Sequence, residues 1–234
     1  MESRDTYYEL TDAVIERPVP FSVGKEQMFL YHASLGKMYM VARILDSLKV
    51  SSKAMAEDSY REAVRLCKYK REDAIRLIAF YTVRDKQDHF DVDLIEGRCS
   101  VLSSLDENEL ATLLVLVLTN DSSDRFIKEY GIDKEKQIVQ KIVRYKRDNG
   151  NLSFGGKTVY GTLIDSVCER YGWSFDYVVW GISYTNLRMI TADSVVSMYL
   201  SKEDMKKLHI SPDREVIDAS DPKNFERIKA LLEE

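Results

Sequence analysis

The spacing of apolar residues changes from two to nearly four at Ser34, and it stays near four through most of the chain that follows. Before that point, Arg17-Pro-Val-Pro-Phe-Ser-Val23 and Glu26-Gln-Met-Phe-Leu-Tyr31 flank Gly24-Lys25. Two short runs of strand formers around a glycine-containing two-residue break are the pattern of a β-hairpin. Pro18 and Pro20 belong on its outer edge, where a missing N–H costs no ladder bond. After the switch, Leu35, Met38, Met40, Val41, Ile44, Leu45 and Leu48 share one broad helical face. Ser34 is placed to cap that helix, and Ser51-Ser52 to close it or open the next. The expected fold is therefore mainly α: a helical body with a short N-terminal β-hairpin, α+β at the N-terminus.

Helical periodicity continues over 60–67 and 74–83, whereas 84–100 is weakly patterned and reads as loop with one short element. Leu105-Asp-Glu-Asn-Glu109 places carboxylates on a first turn, where the helix dipole favours them. The run 110–118 that follows is apolar on every side, which predicts a buried helix, with a central strand as the alternative; a partner-binding surface there is the other reading of its apolar character. Further helices are expected over 121–130, ending at Gly131, and over 133–147, with Ile138, Ile142 and Val143 on one stripe. Asp148-Asn-Gly-Asn151 is the strongest turn signal and marks a boundary. Beyond it, helices are expected over 158–171 up to Gly172, from Ser174 to Trp180, and from Ser183 to Tyr199. A capping-box pattern at Ser201-Lys-Glu-Asp204 opens another, and Asp221-Pro222 a last one. The organisation that follows is a flexible or loosely docked arm over 1–16, a hairpin plus helical domain over 17–150, and a C-terminal helical region over 151–234.

Composition removes several functional classes. At 234 residues the chain can bury a core without disulfide staples, and its 4 Pro and 10 Gly leave little material for linkers or a turn-rich sandwich. Cys67, Cys99 and Cys168 are odd in number, far apart and without metal-ligand spacing, so reduced thiols of a cytoplasmic protein are expected. Residues 1–10 are charged and lack the apolar run of a signal peptide. The longest apolar run, 110–118, is about half of the ~20 residues that span a bilayer, so no membrane partner is expected. A net charge of −5 argues against a nucleic-acid partner.

Motifs that would carry catalysis do not fit. Gly156-Lys-Thr158 needs a glycine at position 151 to make a phosphate loop, and Asn151 stands there. Asp88-His-Phe-Asp-Val-Asp-Leu-Ile-Glu96 lacks the polar ligand and glycine of a calcium loop, having Ile95 and Glu96 in those places. No Gly-x-Ser-x-Gly elbow occurs, and no cysteine lies in a reactive context. The basic runs Arg65-Leu-Cys-Lys-Tyr-Lys-Arg71 and 141–147 read as solvated helix faces, with phosphate tracking as the alternative. No cofactor, no metal and no enzyme activity are expected.

The segment Tyr171-Gly-Trp-Ser-Phe-Asp-Tyr-Val-Val-Trp-Gly-Ile-Ser-Tyr184 holds both tryptophans. Such rings dominate binding hot spots, which makes Trp173, Tyr177, Trp180 and Tyr184 candidate partner contacts. The alternative is that Trp173, Phe175 and Trp180 staple a helical corner into the core. Pro20-Phe-Ser-Val-Gly-Lys-Glu-Gln-Met-Phe-Leu-Tyr31, followed by Leu35-Gly-Lys-Met38, resembles the opening of phage tail assembly chaperones, in which a small hairpin precedes a helical body. Tyr171-Gly-Trp173 with Asp176-Tyr177 and Trp180-Gly-Ile182 resembles the downstream part of the same group. Residues 54–153 carry no part of the resemblance.

The resemblance implies a non-catalytic assembly factor in the cytoplasm of an infected bacterium. Such proteins bind the long helical tape measure protein, keep it soluble, help recruit tail tube subunits around it, and are generally absent from the finished virion. Self-association is a further expectation. Members often occur in short and frameshift-extended forms, and a chain with both motif regions resembles the long or a fused form. Two alternatives stay open: a virion structural or adaptor protein, and a nucleic-acid-binding regulator using 65–71 and 141–147.

Overall fold

The structure, a computed structural model, describes residues 4–148 and 156–210. The expected turn at Asn149-Gly150 and the helix from Asp221 lie outside them. The fold is mainly helical, 69% helix, with one two-stranded antiparallel hairpin near the N-terminus. In chain order the elements are α1 (Arg4–Val14), β1 (Val19–Val23), β2 (Glu26–Leu30), α2 (Leu35–Leu48), α3 (Ser52–Glu57), α4 (Ser59–Tyr69) and α5 (Arg71–Tyr81). A 3₁₀ turn (Asp88–Phe90) precedes α6 (Val92–Leu102), α7 (Glu107–Leu118), α8 (Ser123–Glu129) and α9 (Ile132–Asp148). A π-turn (Tyr160–Ile164) leads into α10 (Asp165–Tyr171), and a second (Tyr177–Gly181) precedes α11 (Tyr184–Ala192) and α12 (Lys202–Leu208).

The hairpin pairs Val19 with Leu30 and Val23 with Glu26, and its turn needs Gly24, whose φ is +59°. Met28 and Leu30 face inward and the Tyr31 N–H donates to the Tyr81 carbonyl at 2.8 Å, so β2 lies on the end of α5. Ala74, Leu77, Ile78 and Ala79 are all buried, which puts α5 at the centre of the body against α2, α4, α6 and α7. Ala63, Leu66 and Cys67 of α4 meet Leu110, Ala111 and Leu114 of α7. Leu110, Ala111, Leu113, Leu114 and Val117 of the run 110–118 are thus core while Leu116 is exposed, and Asp106 with Glu109 closes a complete capping box at its start. Buried Glu62 accepts from Ser51 N–H and holds Arg65 through two bonds of 2.7 and 2.6 Å, tying α4 to the start of α3.

Four expectations need correction. Within the expected arm, Arg4–Val14 form α1 with a turn after it; the helix packs on α11, and Glu16 accepts from Ser183 N–H at 2.7 Å. The interval 84–100 is largely α6, capped by Asp91 and burying Ile95 and Leu102. Its charges and Gly97 blur a pattern that still repeats at i, i+4 and i+7. The helix from Ser183 ends at Ala192 and not at Tyr199, because β-branched Val195-Val196 follows Asp193-Ser194, a pair that competes for backbone bonds.

The boundary at 150 is the fourth. By contacts, one compact unit combines 4–134 with 156–194, and a second combines 135–148 with 195–210. The first unit is joined by a β-bridge between Ser34 and Ser183, by Tyr184 N–H to the Ala33 carbonyl at 2.7 Å, and by Arg188 to Asp121 and Asp124. In the second, Tyr145 donates to Asp204 at 2.7 Å, Lys141 donates to the Leu208 carbonyl, and Ile142 is buried. Ile138 and Val143, expected on the same stripe as Ile142, are exposed.

Candidate functional site

The aromatic segment divides into an inward and an outward half. Trp180 lies flat on α2: a Cβ added at Gly36 would come within 2.7 Å of its indole ring. His89 and Phe90 meet the same ring edge-on, at 5.7 and 5.8 Å between centroids, and Lys86 sits 6.0 Å from it. Tyr184 is half-buried, with the Arg188 guanidinium 5.7 Å from its ring and Met38, Leu45 and Val117 around the same small cavity. These two rings serve packing.

Tyr177 belongs to the outward half, whereas Trp173 is half-buried and packs on the core cluster that holds Ile164, Val167, Val178 and Leu187. Trp173 stacks on Tyr171 at 4.9 Å, and Tyr177 meets it edge-on at 5.1 Å. Beside them Tyr160 and Phe175 stack almost parallel, 6.3 Å apart at 10°. Tyr160, Phe175 and Tyr177 are 63%, 53% and 43% exposed, although each ring could bury large area. The two π-turns start at Tyr160 and Tyr177, and such turns re-aim side chains that a regular helix would place elsewhere. Ser174 accepts from Tyr177 N–H as expected of a cap, and Gly181 leaves room for the Tyr177 ring, which a Cβ there would meet at 2.3 Å. Phe175 and Tyr160 complete this face. Tyr160 lies outside the aromatic-rich stretch, so only a three-dimensional arrangement brings it in.

A second site escaped the sequence reading. Lys37, on the first turn of α2, is 1% exposed. Its ammonium donates to the Val83 carbonyl at 2.8 Å and lies 5.3 Å from the Tyr81 ring. Burial pushes its pKa down to about 7. It lines a cavity of about 80 Å³ with Glu16, His32, Arg84, Trp180 and Ser183. Burial also lowers the pKa of His32 and of His89, and His89 Nδ1 pairs with the Asp85 carbonyl. A spacing signal existed: Lys37, Val41 and Leu48 recur at i, i+4 and i+11, on the buried side of α2.

The remaining motifs are absorbed by structure. Asp91 caps α6, Glu96 pairs with Arg76, and no group of three metal-ligating side chains occurs among the described residues. Arg71 donates to the carbonyls of Ser103 and Leu105, so two arginines of the first basic run are spent on the fold. Cys67 is buried, which pushes its thiol up to about 11 and makes it inert. No described helix is long and apolar enough to cross a membrane. In comparisons with known proteins, no family model, no curated protein and no solved structure matches the chain.

Proposed function

We propose that the chain is a non-catalytic tail assembly chaperone of a tailed phage. It binds the tape measure protein in the host cytoplasm, keeps it soluble and helps recruit tube subunits, and it is left out of the mature virion. The observation that carries this reading is the outward aromatic face of Tyr160, Phe175 and Tyr177, with half-buried Trp173 edge-on to Tyr177. Exposed rings held rigid by stacking cost little entropy to dock, and an apolar helix of the client fits such a face. Trp180 and Tyr184, engaged with α2 and with Arg188, serve the fold in this reading and not the client contact.

Co-expression with the long, helix-rich protein encoded downstream is the test. The expected result is that the long protein becomes soluble and co-elutes with this chain. If it stays insoluble and nothing co-elutes, the chaperone reading is lost. Stoichiometric recovery of this chain from purified particles would then favour a virion adaptor.

A further inference from the structure

Lys37 presents an unusual energetic situation. A buried ammonium without a counter-charge costs several kcal/mol, and natural folds pair such groups. Here one of three N–H donors is used, on the Val83 carbonyl, and no carboxylate bonds to it among the described residues. The one carboxylate on the cavity wall, Glu16, is already engaged by Ser183 N–H at 2.7 Å and Asn186 Nδ2 at 3.2 Å. Arg84, exposed at the same cavity, has no hydrogen-bond or ion-pair partner among the described residues. Two cationic side chains, one buried and one at the surface, thus border one small space with unfilled donors.

We propose that this cavity, between the first turn of α2 and the 180–183 segment, binds a small oxyanion, a phosphate or a carboxylate, held by Lys37 from within and by Arg84 at the mouth. A volume of about 80 Å³ suits a single oxyanion group, far below the ~300 Å³ or more that a drug-sized ligand needs. Arginine supplies a planar fork for two oxygens and lysine a point charge, the division of labour usual at such groups. A bound anion would favour the protonated form of Lys37, which burial alone disfavours. The site is separate from the aromatic face and does not rest on the chaperone reading.

The test is titration calorimetry and thermal unfolding of the full chain with sodium phosphate and, separately, sodium acetate, at ionic strength held constant with sodium chloride. Saturable binding of either anion is expected, and the arm that saturates at lower concentration identifies the chemistry. Arg84→Ala, at an exposed position, should weaken binding about tenfold or more while leaving the anion-free Tm unchanged. Lys37→Met should abolish it. If neither anion gives a saturable response, or if Arg84→Ala binds as well as the parent chain, the proposal is wrong. Should Lys37→Met fail to fold, the arginine variant still decides.

Discussion

At the scale of single residues, Lys37 has the clearest consequence for stability. Its folded pKa of about 7 lies below the ordinary lysine value of 10.5, so between those values the unfolded chain binds more protons than the native one. Stability must therefore rise with pH through that window. From pH 7 to 8.5 the gain is about 1.5 kcal/mol, and above it buried Cys67 and Tyr81 begin to act in the opposite sense. Urea unfolding at the two pH values should show this rise in the parent chain and not in Lys37→Met. His32 and His89 add to the trend on the acid side: their lowered values mean that stability is lost as pH falls below 6.5. The residue types at these positions were plain in the sequence, but burial was not. A lysine on an apolar stripe reads as a surface residue until something covers it.

Elements were more legible where caps announced them. Ser34, Asp106, Ser174 and Ser201 each accept from the backbone two or three residues on, because short polar side chains satisfy the orphan donors of a first turn. Removing the capping-box carboxylate by Asp106→Ala should cost about 1 kcal/mol in chemical denaturation. Helix α6 was missed because its cap, Asp91, sits among acids that invite other readings. The two π-turns leave no local signature at all. Gly36 tests how α2 is covered. Alanine favours a helix by about 1 kcal/mol over glycine, yet here its methyl would push into the Trp180 ring. We expect Gly36→Ala to destabilise by about 1–2 kcal/mol net, with a red shift in tryptophan emission as the indole is displaced.

For the molecule as a whole, packing and recognition should separate by mutation. Phe175→Ala with Tyr177→Ala, both exposed rings, should leave the Tm within a few degrees and abolish solubilisation of the co-expressed partner, whereas Trp180→Ala should destabilise the fold by about 3 kcal/mol through loss of a packed ring. If the double variant still solubilises the partner, the outward face is not the contact. The hairpin-plus-helices class was readable from one change of period, but the division into units was not. A turn signal at 148–151 marks where the chain bends, and only contacts between distant segments show which pieces share a core. The bond from Ser183 to Glu16 spans 167 positions, and Trp180 covers Gly36 from the same late stretch. During synthesis the hairpin and α2 leave the ribosome long before the residues that cap them. Until then the bare glycine face of α2 and the Ala33 carbonyl stay open to water. A polypeptide released early would carry that open seat permanently, with the matching aromatic wedge available only from another, full-length copy.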